Sequence, residues 1–188
     1  MDSLLAVTGV ALAAALLLSL AHASLRWGVV PMPTGRRARH LCVALLEAEL
    51  AGRDGTVADV GAGLGVMAAS MRRAAPRTQV WAIEGSLVIC TLGRMLTAVH
   101  GRLTGRARAP IAWSRADFMT CDLSACVGVF CYLYPGGMPA LADKLRRELR
   151  PGAFVISNTF ALPGWEPTRV LHTGGLYSSP MYLYHVRR

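Results

Sequence analysis

A glycine-rich segment is the part of this sequence whose residue types and spacing most favour ligand chemistry. It runs from Asp59 to Gly65 and follows a short apolar stretch. Glycines at alternate positions permit a tight strand-to-helix turn and let the backbone lie against a ligand. The helix that follows would present free N–H groups at its N-terminus. The segment therefore predicts a cofactor loop built from Asp59, Gly61, Ala62, Gly63 and Gly65.

An acidic residue, Glu84, ends the next apolar stretch about 20 residues after the glycines, where an acid can accept hydrogen bonds from both hydroxyls of a ribose. A glycine-rich loop alone is most simply a plain turn. The order strand, acid, three glycines, helix, strand, acid instead favours a nucleoside-type cofactor. The GxGxG spacing differs from the dinucleotide GxGxxG loop, and the absence of a following Gly-Lys-Ser/Thr excludes a Walker A loop.

Other catalytic chemistries find little support in the sequence. The five cysteines form no CxxC pair, and the histidines show no metal-ligand spacing, so we expect neither a metal site nor a disulfide framework. Most cysteines lie in apolar runs, which is typical of reduced thiols in a core and predicts a reducing, cytosolic setting. No Ser-His-Asp set is evident.

Short apolar runs alternate with helical periodicity from Gly55 onward. This alternation predicts an α/β fold of parallel βαβ units, with helices on both faces of a sheet. A helix with a cap at Thr34 is predicted to run to about Leu50. The other predicted helices are 64–74, 87–99 and 139–149, and the predicted strands are 56–60, 79–83, 110–114, 127–132, 153–159 and 181–186.

These features resemble the Rossmann-like (class I) S-adenosylmethionine-dependent methyltransferases over about residues 30–188. The glycine loop is similar to their first motif, and Glu84 is similar to their ribose-binding acid. The resemblance implies S-adenosylmethionine as cofactor and a seven-stranded, mostly parallel sheet whose last strand is antiparallel. Asp117 and Phe118 fall where such enzymes place an adenine-contacting acid and its neighbour. A loop-capping carboxylate is the alternative for Asp117.

A narrower resemblance links the chain to the membrane-anchored protein-lysine methyltransferases of mitochondria and their bacterial relatives. It rests on the segments Phe130–Pro135, Leu145–Gly152 and Phe160–Pro167. The sequence departs from that pattern by having Gly85-Ser86 after the acid. It also lacks the N/D-P-P-Y tetrad of amino-methylating DNA and glutamine enzymes.

Two aromatic residues, Tyr134 and Trp165, are the candidate catalytic residues. Both are predicted near the carboxyl ends of strands, where open α/β sheets bind ligands. There they would wall a channel for a lysine side chain through cation–π contact. Ordinary aromatic packing is the alternative for each residue.

The N-terminal segment predicts a membrane anchor. Residues 3–25 contain no Asp, Glu, Lys or Arg, and as a helix they can cross a hydrocarbon core of about 30 Å. A cleaved signal peptide is the main alternative, because Ala21–Ala23 resembles a cleavage site; a surface-lying segment is another. The long apolar stretch and the acidic Asp2 favour an uncleaved anchor. The arginines that follow predict a single-pass topology with the folded domain on the cytoplasmic side.

The sequence is therefore divided into a transmembrane anchor (1–27), a Pro-rich linker with a packing helix (28–54) and a methyltransferase domain (55–188). The leading function hypothesis is protein-lysine N-methylation at a membrane. Methylation of a lipid or small hydrophobic acceptor, and a catalytically silent membrane scaffold, are the alternatives. The net charge of +9 suits an acidic partner or simply a solvated basic surface. Without an appended RNA-binding module, no specific nucleic acid is expected.

Overall fold

The computed structural model describes residues 7–9, 34–103, 111–174 and 178–187. The chain divides into two units, Met1–Met32 and Pro33–Arg188. Within the described ranges, no helix combines the length and apolar character needed to cross a membrane. The predicted anchor lies outside the described residues except for positions 7–9, so it stays a prediction.

A seven-stranded sheet forms the centre of the second unit and confirms the predicted architecture. Its strands are β1 (Thr56–Val60), β2 (Gln79–Glu84), β3 (Ala112–Arg115), β4 (Cys126–Cys131), β5 (Phe154–Asn158), β6 (Arg169–His172) and β7 (Pro180–His185). Their spatial order is β3-β2-β1-β4-β5-β7-β6. The first five strands are parallel, and β7 pairs antiparallel with both β5 and β6. The order in which strands are added to the sheet therefore reverses between β1 and β4, and open α/β sheets bind ligands at such a point.

Four helices cover the sheet: α1 (Arg36–Glu49), α2 (Val66–Ala74), α3 (Leu87–Leu103) and α4 (Met138–Glu148). Alternation along each strand divides the core into two layers. Val57 of β1 packs with α1 and α2 on one face, whereas Ala58 and Val60 pack with α4 on the other. Helix α3 contacts β2, β3 and α2, and so lies on the α1–α2 face.

Two local predictions differ from the structure. Gly35 precedes α1 in extended backbone with no side-chain hydrogen bond, so the predicted cap at Thr34 is wrong. Strand β6 was not predicted individually, because three of its four residues are exposed and it lacks an apolar run. It is an edge strand held by β7, and that pairing is not visible in local sequence.

A buried ion pair ties the loop before β4 to α4. Lys144, the single lysine of the sequence, is only 2% exposed. Its Nζ donates to the carbonyl of Cys121 (2.6 Å) and to Oε1 of Glu148 (2.5 Å). The other carboxylate oxygen of Glu148 accepts from the N–H of Leu123 (2.9 Å). Because both charges are paired and hydrogen-bonded, burial of the lysine is tolerated.

Candidate functional site

The glycine loop adopts left-handed backbone at all three glycines. The φ angles of Gly61, Gly63 and Gly65 are 75°, 56° and 75°. A Cβ at Gly61 would lie 2.8 Å from Cδ2 of Leu133, and one at Gly65 would lie 2.5 Å from the ring of Trp113. A Cβ at Gly63 would meet nothing within 4 Å. The loop is thus tightly packed at its two ends and open at its middle, where a ligand can approach the backbone.

Glu84 holds this loop against the end of β2. Its Oε2 accepts from the N–H of Gly63 (3.0 Å), and its Oε1 accepts from the N–H of Ser86 (2.9 Å). The Ser86 hydroxyl in turn accepts from the N–H of Ile89 in the first turn of α3 (3.4 Å). Each carboxylate oxygen can accept more than one hydrogen bond, so Glu84 can still receive the two hydroxyls of a ribose.

Two further contacts position the loop. The N–H groups of Gly61 and Ala62 both donate to the carbonyl of Ile83 at 3.0 Å. On the other side, the Trp113 ring fits against Gly93 of α3, where a Cβ would lie 2.4 Å from the ring. The same Cβ would lie 3.0 Å from the carbonyl oxygen of Gly63. The loop is therefore fixed by β2 and α3 together.

Asp59 is a buried carboxylate beneath the loop, with only 2% exposure. It accepts a backbone hydrogen bond from Ala68, whose N–H in the first turn of α2 has no partner within the helix. Its Oδ2 is buried without a partner. Burial raises the pKa of Asp59 from 3.8 to about 7; the Ala68 N–H opposes this increase, and the charge of Glu84 adds to it. A cationic or donor group of a ligand would satisfy this oxygen.

These residues fit the chemistry of S-adenosylmethionine. The Glu84 carboxylate suits the ribose hydroxyls, and the unpaired oxygen of Asp59 suits a positively charged ligand. The open side of Gly63 leaves room for the ligand between them. When bound, the cofactor supplies a methyl group activated by its sulfonium.

Asp117 and Phe118 follow β3 next to the end of β2. The N–H of Ala116 donates to the carbonyl of Glu84 (3.2 Å), which places this turn beside the ribose-binding acid. Oδ1 of Asp117 accepts from the N–H of Met119 (2.9 Å), so the residue does cap a 3₁₀ turn. Phe118 is half-buried against the α4-side core. Contact of either residue with adenine stays a prediction.

The two candidate aromatic residues are held differently. Trp165 donates from Nε1 to the carbonyl of Ala142 in α4 (3.2 Å) and packs edge-on against Tyr184, with 5.9 Å between ring centroids. Tyr134 follows β4, and its ring lies over the next turn, 2.5 Å from where a Cβ of Gly136 would be. Trp165 therefore has a packing role on α4. Among the described ring contacts none joins the two rings, and the lysine channel stays a prediction.

Asn158 is a site residue that sequence reasoning missed. It ends β5, is 3% exposed and carries a buried Oδ1 without a partner. Ile156 packs on the α1–α2 face, so strand alternation puts Asn158 on the same face as Asp59. The next residue, Thr159, has a φ of 71°, which is strained for a β-branched side chain. The available sequence signal was the polar pair Ser157-Asn158 at the end of an apolar run.

Known proteins resemble this chain in sequence. The family described as the ANTKMT methyltransferase domain matches residues 59–169. The chain is 32% identical over 125 residues to the adenine nucleotide translocase lysine N-methyltransferase of Mus musculus, covering 66% of this chain and 52% of that protein. It is 32% identical over 83 residues to a protein-lysine N-methyltransferase of Saccharolobus islandicus (strain REY15A), covering 44% and 49%. The chain thus spans about half the length of these relatives.

Solved structures share the fold at low sequence identity. An RNA methyltransferase from Salinibacter ruber, in complex with S-adenosyl-L-homocysteine, superposes with a TM-score of 0.68 at 21% identity, covering 84% of this chain and 95% of that one. Magnesium protoporphyrin IX methyltransferase from Synechocystis PCC 6803, with bound SAM, gives 0.63 at 14% identity, covering 80% and 78%. At these identities the likeness shows the fold alone.

Replacement of Glu84 by Gln should weaken S-adenosylmethionine binding about ten- to a hundredfold, because charge-assisted hydrogen bonds to the ribose are lost. The variant should also be less stable, because the NH2 donor of the glutamine would face a second donor, the N–H of Gly63 or Ser86. Calorimetric titration and urea unfolding separate the two effects. Glu47→Gln on the exposed surface of α1 is the control. Equal affinity in Glu84→Gln and the parent protein would show that Glu84 does not bind the cofactor.

The buried Asp59 predicts a pH-dependent stability. Because its folded pKa of about 7 lies above its ordinary 3.8, the folded state holds the proton more tightly. The free energy of unfolding should therefore fall as pH rises from about 4 to about 7, by on the order of 4 kcal/mol at most. Asp59→Asn should remove this decline, so the variant should be the more stable protein at pH above 7 yet bind the cofactor less well.

Urea unfolding of both proteins across this pH range, without cofactor, measures the difference. Other titrating groups are common to the two proteins and cancel in the comparison. Parallel pH profiles for the parent and Asp59→Asn would contradict the raised pKa.

Proposed function

Since the chain belongs to the ANTKMT methyltransferase family, we propose that it transfers the methyl group of S-adenosylmethionine to lysine side chains of a protein. The observation that carries the proposal is the Glu84 carboxylate, which accepts the N–H of Gly63 beside the open middle of the glycine loop. Both curated relatives are named for lysine N-methylation, which supports lysine as the acceptor.

The placement of the acceptor follows from the order of the strands. If Glu84 and Asp117 hold the nucleoside end of the cofactor at β2 and β3, Asp59 would hold its charged end at β1. With the cofactor held in this way, the acceptor would approach from the carboxyl ends of β4 and β5. Tyr134 follows β4 and Asn158 ends β5, so both belong to the acceptor side.

The chain's own residues would prepare the amine. A lysine enters as an ammonium, which the Tyr134 ring can attract through cation–π contact. It must release its proton to bulk water before it attacks, and burial in a site of low polarity favours the neutral amine. The unpaired Oδ1 of Asn158 can then accept an N–H of that amine and direct its lone pair toward the methyl carbon. Transfer leaves a methylated lysine and S-adenosylhomocysteine.

We further propose that residues 1–27 attach the protein to a membrane with the methyltransferase domain on the cytoplasmic side. The support is the uncharged segment at 3–25 and the arginines that follow it. Protease treatment of sealed cells should leave the domain intact and should digest it once the cells are opened. A mature, soluble protein that begins near Ser24 would instead indicate a cleaved signal peptide.

Methyl-lysine should form when the protein is incubated with radiolabelled S-adenosylmethionine and membranes of its host. After separation of protein, lipid and RNA, the label should appear in protein, and hydrolysis should release it as methyl-lysine. Methylation of the protein itself should contribute little label, because Lys144 is the chain's single lysine and is buried in an ion pair. Label found in lipid or RNA would overturn the lysine assignment, and no label in any fraction would favour the scaffold hypothesis.

Paired variants of Tyr134 refine the same assay. Tyr134→Phe keeps the ring and should retain activity, whereas Tyr134→Leu should lower kcat/KM for the protein acceptor about five- to thirtyfold, as expected for loss of a desolvated cation–π contact. Cofactor affinity should be unchanged in both. Equal activity of the two variants would mean that Tyr134 only packs against its own turn.

A further inference from the structure

The helices on one face of the sheet concentrate positive charge. Helices α1, α2 and α3 together carry seven arginines and only two acidic residues, Glu47 and Glu49, both on α1. Helix α4, on the opposite face, has a nearly balanced set of charges. The arginines are Arg36, Arg37, Arg39, Arg72, Arg73, Arg94 and Arg102. The helices of the first face therefore carry a larger excess of positive charge than α4.

The outer side of α3 also exposes large apolar side chains. Met95, Leu96 and Val99 are 60%, 53% and 51% exposed. They occupy adjacent positions within about one helical turn, so they form one apolar patch. Single exposed apolar residues are ordinary in proteins, but a group of large ones beside basic residues is a mark of an interaction surface.

The apolar patch is continuous with the basic surface. Arg94 precedes it and Arg102 follows it on α3. Nη1 of Arg73 on α2 lies 3.4 Å from Nε2 of His100, one residue after Val99. Arg73 also lines a groove of about 270 Å³ between α1 and α2, together with Arg39 and His40. Basic groups and apolar groups therefore share one outer surface across the three helices.

We propose that this α1–α3 surface lies on an anionic phospholipid bilayer, with Met95, Leu96 and Val99 inserted at the headgroup level. Charge complementarity and exposed apolar side chains on the same helix both favour lipid as the occupant. Arginines attract anionic headgroups, and apolar side chains beside them enter the acyl boundary, as in interfacial amphipathic helices. The proposed contact differs from attachment through residues 1–27, because binding through the α1–α3 surface depends on the charge of the lipid headgroups.

The orientation has a consequence for the methyltransferase site. The helix layer is parallel to the sheet, whereas the cofactor loop lies at the carboxyl edge of the strands. In a protein that lies on α1–α3, the methyltransferase site would face along the bilayer surface and not toward it. Acceptor lysines close to a membrane would then be reached in preference to lysines far from one.

A fluorescent label at position 95 tests the proposal in the full chain. An environment-sensitive dye is attached to Met95→Cys in a Cys121→Ser background, which removes the one cysteine that is not buried. The protein is reconstituted in phosphatidylcholine vesicles with and without phosphatidylglycerol. A matched control carries the dye at Arg147→Cys, an exposed position on α4. Unchanged S-adenosylmethionine affinity and circular dichroism establish that both labelled proteins are folded.

We expect a blue shift of the label at position 95 with phosphatidylglycerol that reverses in high salt, and no such shift at position 147. Arg94→Glu with Arg102→Glu should weaken this lipid-dependent response by about tenfold or more. An equal response with phosphatidylcholine alone, or at both positions, would overturn the proposal. So would a response of position 95 to RNA or an acidic protein but not to phosphatidylglycerol.

Discussion

The carboxylate of Glu84 is the group on which the candidate site depends. It joins three elements, since it ends β2, holds the glycine loop through Gly63 and holds the start of α3 through Ser86. The loop in turn sets where α2 begins, because Gly65 is the residue before its first turn. Together with the Ile83 carbonyl and the Trp113 ring, Glu84 therefore holds the loop in place before any ligand arrives, and the loop needs little rearrangement to bind one.

The buried polar groups at the candidate site lower the stability of the folded protein. Asp59 is buried with an unpaired oxygen and a raised pKa, and Asn158 is buried with another unpaired oxygen. Groups left unsatisfied in a core destabilise the fold, and such groups are common at functional sites. Lys144 differs, because that buried charge lies away from the loop and donates to the Cys121 carbonyl and the Glu148 carboxylate. The unpaired groups thus mark the carboxyl edge of the sheet as the place for ligands.

Sequence reasoning succeeded where the signal was local. Glycines at 61, 63 and 65 need left-handed backbone, and Glu84 ends a largely buried strand, so the loop and its acid could be predicted from spacing. Tertiary contacts were beyond its reach. It missed β6, which depends on β7, and it offered packing only as the alternative for Trp165, whose partner on α4 is distant in sequence. The exposed apolar side chains of α3 could not be predicted either, because apolar residues at helical spacing are also typical of a buried helix face.

A crystal structure of the protein with S-adenosylhomocysteine tests the central claim most directly. The account predicts that both ribose hydroxyls lie within hydrogen-bonding distance of Glu84 while its bonds to the N–H groups of Gly63 and Ser86 persist. The charged amino group of the ligand should approach Oδ2 of Asp59. A ligand bound elsewhere, or a Glu84 side chain turned away from both the loop and the ribose, would contradict the account.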